Sequence, residues 1–281
     1  MKALLLDVVF LKMVVSKANH SYTFTMVKKP IAMLLLFIII PCLYADTSDV
    51  SYHWKYLESI LGYDAYMTSI LNAQPITESE RLFGKLQQEI ENCDISEDLK
   101  ILAKARSAIA LGRRYAELNE NHTTKSLAMI ATVELLLTSA HDVHASSIMI
   151  DTLGVHLESL RYLATGKLSH GLGTARAIDR LYKENPNDIS SIMLKADKLL
   201  YAPAIGGGNP KEALVLFSKA WNSIQSLSVC TWDRFTIIGG LGSALHKAKD
   251  TRALDYITYA RTLYTGDPVI NDLYDMLVGK E

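Results

Sequence analysis

From residue 50 onward, apolar positions recur every three or four residues, and runs of strict apolar–polar alternation are few. That spacing lines up apolar side chains on one face of a 3.6-residue turn, so it predicts helices joined by short polar turns. "VSYHWKYLESILGYDAYMTSIL" reads as one long helix and "ITESERLFGKLQQEIEN" as the next, with Thr77 and Glu80 spaced as a capping box. "ISEDLKILAKARSAIALGRRYAEL" and "TTKSLAMIATVELLL" continue the pattern. The helices group into hairpins at about 50–92, 95–137, 146–184, 188–226 and 233–264, followed by a C-terminal capping helix.

Small residues recur inside the first helix of successive hairpins. Gly112, Gly154, Ala196 and Gly242 stand 42, 42 and 46 residues apart, and Gly62 precedes them by 50. Glycine costs about 1 kcal/mol against alanine in a helix interior. A repeated cost of this kind predicts a neighbouring helix too close for a side chain. The second helices carry small–large–small stripes: Ala213, Phe217, Ala220 and Ala253, Ile257, Ala260, with looser versions at Ser126, Ile130, Val133 and Thr174, Ile178, Leu181. Such stripes face the partner helix. Two helices per unit at this period indicate a stack of repeats.

"LGSALHKAKDTRALDYITYARTLYTGDP" resembles a tetratricopeptide repeat, through Gly242, Ala253, Ile257, Ala260 and Pro268. Ala196, Ala213, Phe217 and Ala220 repeat the match with a longer turn between the helices. The resemblance spans roughly 105–268 and is clearest after 188. It implies an all-α fold, a right-handed superhelical stack of antiparallel helix pairs whose concave face binds a peptide or protein partner. The family's groove positions fall here on Arg113 and Glu117, Val155 and Glu158, Asp197 and Tyr201, and Ser243, His246 and Lys247. "YAPAIGGGNPKEALVLFSKA" is also similar to the glycine-turn hairpin of the T-component lipoproteins of TRAP-type transporters. That similarity implies the alternative role of a periplasmic ligand-binding accessory to a transporter subunit.

The glycines in this stretch admit two readings. Gly206, Gly207 and Gly208 before a helix could cradle phosphate. Yet they run into Asn209 and Pro210, with no Gly-Lys-Ser/Thr, and Pro210 lacks an N–H. As a turn, every residue has a structural part. Pro203 ends the first helix, the glycines supply positive φ, Asn209 caps, Pro210 fills the first helical position, and Glu212 completes a capping box. The turn reading is the one the residues favour. "FTIIGGLGSAL", 235–245, imitates a dinucleotide fingerprint, but Leu245 stands at the third glycine position and no second strand follows.

Charge and cysteine content narrow the setting. Residues 1–45 carry a net +4, which leaves −5 for the rest and no Lys/Arg cluster to hold nucleic acid. From Met26, Lys28 and Lys29 precede an apolar run from Ile31 to Ile40, and Ala45 precedes a polar stretch. That order predicts a secretory signal with Met26 as the start, cleaved after Ala45, and hence export to the periplasm or the periplasmic face of an envelope membrane. An uncleaved anchor and a lipid on Cys42, in "IIPC", are the alternatives; Pro41 departs from the small residue the lipobox wants. Cys93 and Cys230 then remain, free and buried or paired.

No catalytic constellation stands out, so the expectation is a non-enzymatic scaffold without metal or cofactor. His141 and His144, with His156 further on, lack a third ligand at metal spacing and read as solvated or turn residues. Trp54, Trp221 and Trp232 read as packing residues between hairpins, with an exposed ligand platform as the alternative.

Overall fold

The computed structural model describes residues 50–118 and 122–279. The signal segment, Met26 and Cys42 lie outside them. Among the described residues there are eleven α-helices: α1 (Tyr63–Leu71), α2 (Ile76–Asn92), α3 (Glu97–Leu118), α4 (Thr123–Asp142), α5 (Ser147–Thr165), α6 (Leu168–Glu184), α7 (Ile189–Tyr201), α8 (Pro210–Ser223), α9 (Thr231–Lys247), α10 (Ala253–Leu263) and α11 (Pro268–Leu277). They pair as antiparallel hairpins α1–α2, α3–α4, α5–α6, α7–α8 and α9–α10, with α11 packed on α10. The fold is an all-α stack of helix pairs.

The second-helix stripes explain the pairing. Ser126, Ile130 and Val133 on α4, Thr174, Ile178 and Leu181 on α6, Ala213, Phe217 and Ala220 on α8, and Ala253, Ile257 and Ala260 on α10 are all buried. Gly240 admits the Phe217 ring, where an added Cβ would sit 2.2 Å from the nearest ring atom, and Gly242 admits Ile257. The "GGLG" of α9 is therefore a helix interior carved for its neighbours. Gly112 is likewise tight against Leu160 of α5 and Met129 of α4. Gly154 has nothing within 4 Å of a built Cβ, so close contact does not account for it.

Local signals set the helix ends. Asp188, Asn209 and Asp267 cap α7, α8 and α11, each accepting a backbone N–H three residues on. In the glycine turn, Gly207 alone of the three has positive φ (+86°), and a Cβ on Gly208 would fall 1.8 Å from the Ala202 carbonyl oxygen. Gly208 thus serves close backbone approach instead of a left-handed conformation. Glu212 donates its N–H to Asn209 Oδ1 at 3.3 Å, while its carboxylate takes Asn209 Nδ2 at 3.1 Å.

Two local expectations are corrected. The first segment is not one helix: 50–54 are non-helical, Lys55–Ser59 form a 3-10 turn, and Gly62 caps α1 at φ +83°. Thr77 and Glu80 form no capping box, because α2 begins at Ile76 and Glu80 instead accepts from Tyr115 Oη (2.7 Å) and Lys125 Nζ (2.6 Å). His141 and His144 are exposed, His144 in the turn beyond α4 at φ +56°, as expected of solvated or turn residues.

The stack closes on itself. α9 lies against both α7 and α1. Leu71 of α1 shares a core with Phe235, Ile238, Ile257 and Tyr264. Gly266 N–H donates to Asn72 Oδ1 at 2.9 Å, and Tyr264 Oη to Asp64 at 3.4 Å. The N-terminal strap completes the seam: Ser51 N–H donates to Asn187 O and Ile189 N–H to Ser51 O, both at 3.0 Å. The first helices α1, α3, α5, α7 and α9 therefore form the inner wall of a ring.

Candidate ligand pocket

Inside that wall, side chains from α3, α5, α7 and α9 face one cavity, in a register that steps by 43, 41 and 43 residues. One level holds Arg106, Ser190 and Asp233. Ile109, Thr152, Met193 and Thr236 form the next, together with Leu153 and Leu194. Arg113, His156 and Asp197 form the third. Trp54 from the strap and Trp232 from α9 close the first level. The cavity between these groups has a volume of about 60 Å³. The space suits a slim occupant.

Arg106 is the central group. Its guanidinium carbon lies 4.5 Å from the Trp54 ring centroid and 5.3 Å from that of Trp232. Two indole faces so close favour a cation. Nη2 pairs with Asp233 Oδ1 at 2.5 Å. Nη1 is buried and has no hydrogen-bond partner. Burial, the largest single influence, pulls the Arg106 pKa down, but Asp233 together with Tyr63, Cys230 and Tyr52 outweighs it, so the pKa is raised and the charge is kept.

Asp233 gathers the other donors of this level. Tyr52 Oη donates to Oδ2 at 2.7 Å and accepts the Cys230 N–H at 3.2 Å; the Cys230 thiol lies 3.2 Å from Oδ2. Burial, then Asp233, pushes that thiol up to about 12, so it stays protonated. Trp54 Nε1 donates to Ser190 Oγ at 3.1 Å, which leaves the Ser190 hydroxyl proton free to donate. At the far level, burial first and then Arg113 and Arg106 hold His156 down at about 3, so the imidazole is neutral.

Of the partner-binding positions expected from sequence, the structure brings Arg113 and Asp197 to this pocket. Val155 is buried against Ile178, Leu181 and Leu194 instead. Glu158 opens to a separate groove between α4, α5 and α6, where it is paired with Arg161 and, at 3.0 Å, with His170 Nδ1. Tyr201 is packed in the core at 6% exposure, so it is not displayed as an interface anchor. Lys247 lies 4.9 Å over the Tyr201 ring and donates to the Leu200 carbonyl; burial lowers its pKa. Glu117, near Arg113, and His246 in the last turn of α9 are half-buried and outside the pocket lining. Cys93 and Cys230 are both free. Among the described residues no cluster of His, Cys, Asp or Glu could hold a metal, and no helix is long and apolar enough to cross a membrane.

The sequence assigns Arg106, Asp233, Ser190 and His156 to no site, and offers Trp54 and Trp232 as a ligand platform only in the alternative reading. The signal was available in the repeat but in the wrong register. Gly112 corresponds in the ring to Val155, Ala196 and Gly239, not to Gly154 and Gly242. A slip of one residue turns a helix by about 100°. It put Val155 where His156 belongs, and the slip of three in α9 put Ser243 where Gly240 belongs.

No protein-family model matches the chain, and no curated protein matches it by sequence. Among solved structures, the chain is similar to the HusA haemophore from Porphyromonas gingivalis, with TM-score 0.51 and 19% identity over 68% of this chain and 94% of that one. At that identity the likeness is one of fold. The tetratricopeptide resemblance therefore rests on hairpin architecture.

Proposed function

We propose that the chain is an exported, non-enzymatic binding protein that holds a small amphiphilic molecule with an anionic group at the centre of its helical ring. The observation that carries this is Arg106: a buried, charged, pocket-lining side chain with one Nη donor unpartnered. A buried donor left unmade costs about 1–3 kcal/mol, more when it is charged, and a ligand carboxylate or phosphate removes that cost. Ile109, Leu153, Met193 and Leu194 supply the apolar wall such pockets use for the body of a ligand.

The same geometry favours a small ligand over the extended peptide implied by the tetratricopeptide resemblance. The strap and the α1–α9 seam close the concave face along which a peptide would run. A binding role is also favoured over catalysis, since Asp233 is committed to three donors and the Cys230 thiol is held protonated. Delivery to a transporter subunit, the role implied by the glycine-turn hairpin, is compatible with a closed pocket. The fold neighbour is by its title a haemophore. The narrowness of the cavity argues for something slimmer than a porphyrin here.

Native mass spectrometry of protein recovered from its own envelope tests the reading. It should carry one small molecule, displaced in Thr236→Phe, which fills the cavity. Protein that is empty in every preparation, or cargo retained by a folded Thr236→Phe, refutes it. Haemin titration supplies the second arm: a Soret shift that saturates at one equivalent and is lost in His156→Ala would replace the slim ligand with haem.

A further inference from the structure

The two ends of the pocket are chemically alike, and each presents an arginine and an aspartate. Arg106 and Asp233 make one end, Arg113 and Asp197 the other. Seven residues of α3 separate Arg106 from Arg113, and seven of α7 separate Ser190 from Asp197. At 1.5 Å rise per residue, the backbone positions that carry the two ends stand about 10 Å apart along each helix. The belt between them is apolar on three helices, through Ile109, Leu153, Met193 and Leu194.

The formal charges lining this space cancel: Arg106 and Arg113 against Asp233 and Asp197, with the His156 imidazole neutral. An occupant of zero net charge preserves that balance. A monoanion or a monocation leaves one charge uncompensated in a space largely closed to water, which is unfavourable. Arg106 Nη1 and the Ser190 hydroxyl offer donors to a carboxylate at the first end. At the other end Asp197, only 7% exposed, presents a carboxylate that can accept more than one hydrogen bond, including one from an ammonium group.

Resting on the small-ligand reading, we propose that the occupant is a slender zwitterion carrying its carboxylate at Arg106 and its ammonium group at Asp197, about 10 Å apart across an apolar body. Two sources share this chemistry. One is an ω-amino carboxylic acid; the other is a free-ended tripeptide with small side chains, whose extended length at about 3.3–3.6 Å per residue matches the span.

Isothermal titration of the full exported chain tests this with five probes: 8-aminooctanoate, trialanine, octanoate, octylamine and octanedioate. At least one zwitterion should bind tenfold or more tightly than octanoate, octylamine and octanedioate, and which one binds identifies the source. Asp197→Asn should bring zwitterion and octanoate to within about threefold, mainly by weakening the zwitterion. Octanoate binding as tightly as both zwitterions overturns the assignment of the Asp197 end while leaving an anion pocket. Octanedioate binding tightest overturns it in favour of two arginine contacts. If none of the five binds and native protein is empty, the small-ligand reading falls with it.

Discussion

Asp233→Ala removes an acceptor on which donors from three parts of the chain converge. Arg106 reaches it from α3, Tyr52 from the strap and Cys230 from the start of α9. The Arg106 side chain is 11% exposed and that of Asp233 8%, so the substitution strands a charge away from water. Breaking one side of a buried pair costs about 3–5 kcal/mol, and the stranded Tyr52 hydroxyl adds to it. We expect a loss of about 4 kcal/mol in equilibrium urea unfolding followed by far-ultraviolet circular dichroism. The double variant Arg106→Met/Asp233→Leu should be at least about 2 kcal/mol more stable than Asp233→Ala, because replacing both charges with apolar groups removes the stranded ion. Tyr52→Phe, which leaves the ion pair intact, should lose only about 1 kcal/mol. A loss below about 1 kcal/mol for Asp233→Ala would falsify the view that Asp233 compensates a buried Arg106 charge. So would additivity of the two single substitutions in the cycle, since contacting residues must couple.

Gly240→Ala and Gly154→Ala should move stability in opposite directions in thermal unfolding: the first drives a methyl into the Phe217 ring and should lose about 1–3 kcal/mol, the second meets open space and should gain up to about 1 kcal/mol. Tyr201→Ala should lower stability by about 3 kcal/mol, as expected of a core aromatic, and equal stability to the parent would return it to the surface role read from the sequence. Asn209→Ala should cost about 1 kcal/mol through its cap on α8, with phosphate leaving the melting temperature unchanged. His156 titrates near 3 in the folded chain and near 6.5 when unfolded, so the unfolded chain binds the extra proton between those values and this residue's contribution to stability falls as pH drops through that window. His156→Gln should flatten that part of the acid limb, and an unchanged pH profile of stability would show that the imidazole is not held neutral.

Much of this fold is written in local pattern. Helical spacing, the cap Asn209, the break before Pro203 and the buried stripes such as Ala213–Phe217–Ala220 depend on residues within a turn or two, so the sequence alone determined the helices from α2 onward and their pairing. Helix pairing is short-ranged, and the small–large–small stripe that drives it is visible in one dimension. The N-terminal strap escaped that logic, since Val50 to Trp54 have no partner until Asn187 and Ile189 are brought beside them. The pocket was legible only in part, because a repeat read from glycines carries their ambiguity: Gly239, Gly240 and Gly242 offer three registers, and a helix turns about 100° per residue. What only the tertiary structure decided is that the stack closes. Small rotations between successive hairpins add until α9 meets α1, and that sum appears in no single repeat. Closure turns a concave face into a cavity, and it places Arg106 between Trp54 and Trp232 beside an aspartate 127 residues away.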